Sequence, residues 1–407
     1  MKRESKNILA CLLLGYLLNP AVFGHSTTND VKGRVLDQEL VEHHGHPIVV
    51  DGNSILVFEN PGGYPKAIPY IQGEAIVVGA STYRERRPSD RRLAERAGDL
   101  DPIEVPFLET TDGQRLPGGI LRTGDGRILW RNAWLPSQTL DPERISRLRI
   151  VQGAEVPVAT DSDLLILVNG DRLEGFVESI GTSIALEIVD GDREGEIIEV
   201  PIDRVASVSL SNPVVRRGGV MVWFRGGHRI LGSSIRIEDD GYTRIGEPRL
   251  GGGEAEVPSE FLMGANLKFD RIVPWSSLEW RIREDASVGV RPWTPPIERE
   301  AGHHPLDAAP MRIQGPMTAA AKMPWSGARY RLVVERDPDA GTGRSVFVVR
   351  DGEVEVSRDV IDADRSVVVV TGRIEGDTIE FELEDGGDGP FEDDVVLREA
   401  LIIRSRG

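Results

Sequence analysis

The densest set of ligating groups in the sequence lies near its C-terminal end, in FELEDGGDGPFEDD. Nine acidic residues fall between Asp377 and Asp394, with no Lys or Arg among them. Asp385, Asp388 and Asp393 offer hard carboxylate oxygens, and Gly386, Gly387 and Gly389 allow the sharp turns of a chelating loop, which is the chemistry of a structural Ca2+ site. The spacing is not that of an EF-hand. The other account is a solvated acidic loop whose Asp and Gly residues simply make turns. A second chemistry is sugar recognition, in which an aromatic ring stacks on the sugar and charged groups bond its hydroxyls. Trp325, Arg350 and Asp388 are candidates for it by residue type, although Trp325 is equally suited to a core.

Elsewhere the reactive residue types are sparse. His43, His44 and His46 sit together in Glu42-His43-His44-Gly45-His46, a tract that could hold a transition metal or be a mobile solvated segment. His303 and His304 lack a nearby ligand set and read as loop residues. Cys11 is the only cysteine, and it falls in the N-terminal apolar run. There is no Gly-x-Ser-x-Gly elbow, His-Glu-x-x-His, phosphate loop or dinucleotide fingerprint, so no catalytic constellation is expected.

The start, MKRESKNILACLLLGYLLNPAVFG, has a basic head, a short apolar middle and small residues after it. It reads as a secretory signal over residues 1–24, and it is too short for a stable transmembrane span. The expectation is export to the periplasm or the extracellular space, with no membrane-spanning segment in the mature chain. The 407 residues carry 66 acidic and 48 basic side chains, a net charge of −18, which repels nucleic acid and so excludes it as a partner.

The elements that would position these residues are short strands. The pattern Gly-x-Arg-(Leu/Ile)-x-Gly occurs three times, as Gly113–Gly118, Gly170–Gly175 and Gly227–Gly232, and both intervals are 57 residues. Before each lies an apolar run and a turn pair, Asp112-Gly113, Asn169-Gly170 or Gly226-Gly227, which suits a tight primed hairpin turn. The second glycine lies inside the return strand and predicts a bulge or bend. The arginine alternates with the apolar Leu or Ile, so it is expected to face outward beside an acidic neighbour. We read three separate compact β bodies over 103–160, 161–217 and 218–283, a short-strand β region over 25–82, a charged linker or helix over 83–102, and a Pro-rich linker over 284–309. The Gly-Asp-Arg-Leu-x-Gly hairpin at 170–175 resembles the SH3-like or Sm-like small barrels of exported bacterial proteins.

From residue 310 to 407, short apolar runs with an Asp351-Gly352 turn suit a two-sheet sandwich. Pro310–Gly315, Gly343–Gly352 and Leu383–Gly389, with Asp393 and Glu399-Ala400 following, resemble the NPCBM/NEW2 carbohydrate-binding family. Departures fall at Lys322–Ser326, Asp394 and Leu397. The resemblance implies a galactose-binding-like jelly roll and a glycan or polysaccharide ligand. The fold class expected is therefore all-β, with tandem small SH3-like barrels followed by that sandwich. The function expected is non-catalytic binding of a glycan. Scaffolding of an envelope protein is the alternative, and an accessory part of a glycoside-processing system is a further one.

Overall fold

A computed structural model describes residues 33–50, 54–58, 66–69, 72–78, 105–124, 126–159, 161–189, 193–215, 218–238, 240–250, 253–283, 297–299, 303–337, 343–387 and 393–405. The described chain is all-β. Among the described residues no helix is long and apolar enough to cross a membrane.

Each of the three copies is a meander whose last strand returns to its first. The second copy runs through Asp163–Leu167, Arg172–Ile180, Ser183–Ile188 and Ile197–Pro201, then a 3-10 turn at Ile202–Arg204 and the strand Val205–Ser209. Closure places Leu165 opposite Val208. The first copy closes likewise, with Leu108 opposite Leu148, and the third with Val222 opposite Ala265. Residues 33–78, which carry no such hexapeptide, follow the same plan. Their strands Gly33–Asp37 and Gly73–Val78 pair antiparallel, so this region is a fourth unit. The His tract read as a metal site or a mobile segment lies in its strand Glu42–Val50.

In the third copy Gly226 and Gly227 have φ of +73° and +81°, the positive values expected at both turn positions, while the first two copies turn differently. Gly113 and Gly170 have φ of +84° and +89°, whereas neither Asp112 nor Asn169 has a positive φ. The Gly170 N–H donates to the Leu167 carbonyl and the Leu167 N–H to the Asp171 carbonyl. This is a three-residue loop, a type I turn followed by a left-handed glycine, rather than a primed two-residue turn. The second glycines mark close approach. A Cβ on Gly118 or Gly175 would lie 2.1 Å from the Arg131 or Glu187 carbonyl oxygen. The bulges come just after, between Ile120 and Arg122 and between Val177 and Ser179.

The units are not separate bodies. The last strands of copies one and two pair through Leu148 and Val208, and that of copy three pairs with the fourth unit through Ala265 and Ile76. A further bridge, Arg115 to Arg229, joins copies one and three. One hydrophobic cluster runs through all four, from Val35 to Leu267. The physical reason is that a closing strand still carries unpaired N–H and C=O groups on its outer edge, and pairing two such edges satisfies both.

The C-terminal part is a two-sheet sandwich. One sheet orders Ile297–Arg299, Met311–Ile313, Val395–Arg404, Ala328–Arg336 and Val367–Ile374; the other orders Trp280–Ile282, Met317–Lys322, Thr378–Asp385, Ser345–Asp351 and Val354–Ile361. Ile272–Pro274 also pairs with Val395–Arg404. Residues 272–282, read from sequence as the end of the third copy, thus supply a strand to each sheet. The reason is apolar volume: Trp275 is fully buried, its ring 5.3 Å from Trp280 and 6.1 Å from Tyr330, in the core between the sheets.

A third cluster, including Leu36, Val77, Met221, Trp223, Leu306 and Leu401, forms the seam between the sandwich and the small units. At its rim Arg331, 2% exposed, pairs with Glu42 and Glu399, and Arg34 pairs with the same two carboxylates.

Candidate functional site

The residues singled out for sugar and metal chemistry fall toward opposite ends of the sandwich. Ser345 lies opposite Asp385 and Arg350 opposite Glu380. Five residues of strand separate the two pairs, about 17 Å at 3.4 Å per residue. At one end the loop after Met317–Lys322 carries Trp325, half-buried against the sandwich core. That loop is tied down by the Met323 and Gly327 N–H groups, which donate to the Asp377 and Glu375 carbonyls. The Asp351 carboxylate accepts from the Glu375 and Gly376 N–H groups, so Trp325 and Arg350 belong to the same end. The Arg350 guanidinium donates to Glu382 at 3.0 Å and stands 3.9 Å from Glu355.

At the other end, Asp385 is exposed and accepts the Gly387 N–H at 2.7 Å, as a residue making its own turn does. Asp393 is fully buried and accepts from the Ser345 hydroxyl at 3.2 Å. Asp388 lies outside the described residues. Among the described residues no group of three or more His, Cys, Asp or Glu side chains gathers as a metal site needs. In the His tract, His43 lies between Asp37, 2.9 Å from Nε2, and Lys66, 2.8 Å from Nδ1. A carboxylate only accepts and an ammonium only donates, so Nε2 donates to Asp37 and Nδ1 accepts from Lys66.

The structure also assembles a polar cluster that sequence reasoning missed. Arg147 lies opposite Glu109, Glu109 opposite Arg115, and Arg115 opposite Arg229, a row across four strands. Residues opposite each other share a face, so all four side chains meet where copies one and three join. Arg147 donates to both Glu109 oxygens at 2.8 Å. Arg229 donates to Glu109 at 3.0 Å and to both oxygens of Asp307 at 2.8 Å, and the Trp223 indole N–H donates to Asp307 at 3.0 Å. The Arg115 guanidinium lies 4.0 Å above the Phe107 ring and that of Arg149 4.9 Å from it. The outward-facing reading holds for Arg172, an exposed partner of Glu155, and fails for Arg115 and Arg229.

Burial pushes the Glu109 carboxyl up, but the charges of Arg229 and Arg147 outweigh it and hold it below the usual carboxylate range. Burial lowers Arg115 to about 10, against the opposing pull of Glu109. His228 is 2% exposed, its ring 3.8 Å from Trp134. Burial lowers it to about 3, opposed by its bond to the Arg225 carbonyl and helped by the Arg115 charge. Burial and then the charges of Arg229 and Arg115 put His303 well below its ordinary value.

A carboxylate saturated by arginines is a poor general base, and imidazoles held neutral by burial are poor proton shuttles near neutrality. The cluster therefore suits fastening more than turnover. The copies carry a trace of it, because Glu109 stands where the 57-residue spacing puts Ile166 and Trp223 in the other two.

No family model and no curated protein matches the chain. Among solved structures it is similar to a CBM51 module from Clostridium perfringens in complex with methyl-galactose, at 19% identity over 32% of this chain and 99% of that one, with a TM-score of 0.24. It is also similar to the tandem CBM51 modules of a family 98 glycoside hydrolase from Streptococcus pneumoniae, at 13% identity over 71% and 88% with a TM-score of 0.27. A third is a CBM22 xylan-binding domain from Paenibacillus barcinonensis, at 15% identity over 31% and 86% with a TM-score of 0.21. At scores this low, nothing about the ligand of this chain rests on them.

Proposed function

We propose that the chain is an exported, non-catalytic binding protein whose C-terminal sandwich takes a glycan at the end that carries Trp325. The observation behind this reading is the fixed loop Met323–Gly327, which leaves Trp325 half-exposed beside the end of the strand that holds Arg350. A half-exposed indole on a rigid loop offers a sugar face its stacking surface at little entropic cost. The test is a glycan array with the full chain and with Trp325→Ala. Binding lost in the variant supports the reading, and silence of the parent across plant, bacterial and animal polysaccharides overturns it.

Scaffolding is favoured by a separate observation. The strand Val367–Ile374 pairs on one side only among the described residues, and it presents Val367 and Val369, 51% and 54% exposed. Exposed apolar side chains along a sheet edge suit strand addition by a partner. Cross-linking through a probe at position 369, recovering one envelope protein while the glycan array is blank, would select this reading.

A further inference from the structure

The segment His303–Ala308, expected to be linker, is seated on the third copy through several independent holds. Arg229 and the Trp223 indole grip the Asp307 carboxylate. The Ser276 hydroxyl donates to the Asp307 carbonyl at 3.0 Å. Leu306 is 4% exposed within the seam cluster, and the His303 ring bonds to the main chain of His228. The seat is also strained. Leu306 and Asp307 have φ of +60° and +55°, a left-handed conformation that non-glycine residues seldom adopt. Two consecutive left-handed residues persist only while their surroundings enforce them.

We propose that His303–Ala308 is an acid-released clasp, which leaves its seat on the third copy when His303 takes up a proton while the rest of the fold stays closed. The surroundings of the two rings carry the argument. From its own strand His228 has Arg229 beside it; from the strand Arg115–Gly124 it has Arg115; from the neighbouring loop it has the apolar face of Trp134; from the clasp it has His303. His303 faces Arg229, Arg115 and His228. Among the described residues the charges acting on both rings are cationic, and the nearby carboxylates Glu109 and Asp307 are engaged by Arg229. The Nε2 atoms of both rings are buried without a hydrogen-bond partner among the described residues. A proton on either ring is therefore opposed by desolvation and by like charge; release carries His303 away from both penalties, whereas His228 stays beside Arg115 and Trp134 on the small units. The remaining seam rests on Arg331, Glu42 and Glu399 and on the pairing of Ile272 with Ile403, so it does not depend on these histidines.

In the released state His303 regains an ordinary affinity near pH 6.5, so it favours release about tenfold at pH 5.5 relative to pH 7.5. The experiment is amide hydrogen exchange on the full chain at the two pH values, corrected for intrinsic rates. It reads a peptide over 303–310 against control peptides over 345–351 and 205–209. The expected result is about a tenfold rise in opening of the first peptide, with the controls moving less than about threefold. His303→Gln should abolish the rise, whereas His228→Gln should leave it. Opening that ignores pH, that rises equally in the controls, or whose rise persists in His303→Gln would overturn the clasp. The wild-type profile decides even if a variant fails to fold.

Discussion

Replacing Arg229 by Met tests whether the charged row holds the molecule together. The methionine keeps much of the side-chain volume but removes the donors shared between Glu109 and Asp307. Removing one partner from a buried ion pair costs about 3–5 kcal/mol, because the other charge is left buried. Here Glu109 keeps both bonds from Arg147, and the Asp307 side chain, 38% exposed, can partly rehydrate. The lower end, about 3 kcal/mol, is therefore expected. Adding Glu109→Gln to Arg229→Met should cost less than the sum of the two changes, with a coupling of about 1–3 kcal/mol. Urea unfolding followed by tryptophan fluorescence measures both, with Trp223 reporting from inside the network. A cost under about 1 kcal/mol for Arg229→Met, or a strictly additive pair, would refute a fastening role for the row.

Gly175→Ala should destabilise by about 3 kcal/mol or more, because its Cβ would lie 2.1 Å from the Glu187 carbonyl; Gly126→Ala, at a φ of +72° in open space, should cost about 1 kcal/mol, and thermal melts compare them. Trp275→Ala should cost about 3–5 kcal/mol by emptying the sandwich core, measured in the same unfolding assay. The folded Glu109 carboxyl lies below its unfolded value, so its contribution is present above about pH 4.5 and is lost as pH falls through the folded value. Glu109→Gln should accordingly flatten the stability profile below about pH 4.5, read from denaturation midpoints between pH 3 and 6.

Much of the fold was legible because it depends on local rules. The 57-residue spacing and the turn glycines identify the copies, and the alternating runs after residue 310 identify a sandwich. What escaped depends on edges and partners. The fourth unit lacks the hexapeptide, since its first turn, around Glu39 and Leu40, uses a different chain reversal in which Asp37 accepts the Glu39 and Val41 N–H groups. Alternation alone put Arg115 and Arg229 outside their own sheets, which is correct for one small unit. Only the juxtaposition of copies one and three turns that outside face into an interior. Trp275 and Trp280 follow the third copy without a break, so nothing in the local pattern tells that their apolar rings belong with Tyr330 and Phe381. The candidate site was legible as residue types, and the sequence could not tell that the strand Ser345–Asp351 sets Arg350 and Asp385 far apart.

The pairing of the fourth unit, residues 33–78, with the third copy has a consequence for how the chain acquires its shape during synthesis. Gly73–Val78 is made early, and its outer edge waits for Leu262–Asn266, about 180 residues later, before Ala265 reaches Ile76. Copies one and two can close and join in the interval, so the nascent protein passes through a stage with a finished middle and an uncapped beginning. Such an edge is open to the wrong chain for as long as translation of that interval lasts. A holding chaperone, or slow release of residues 33–78 from the ribosome, would protect the yield more than any change to the sandwich.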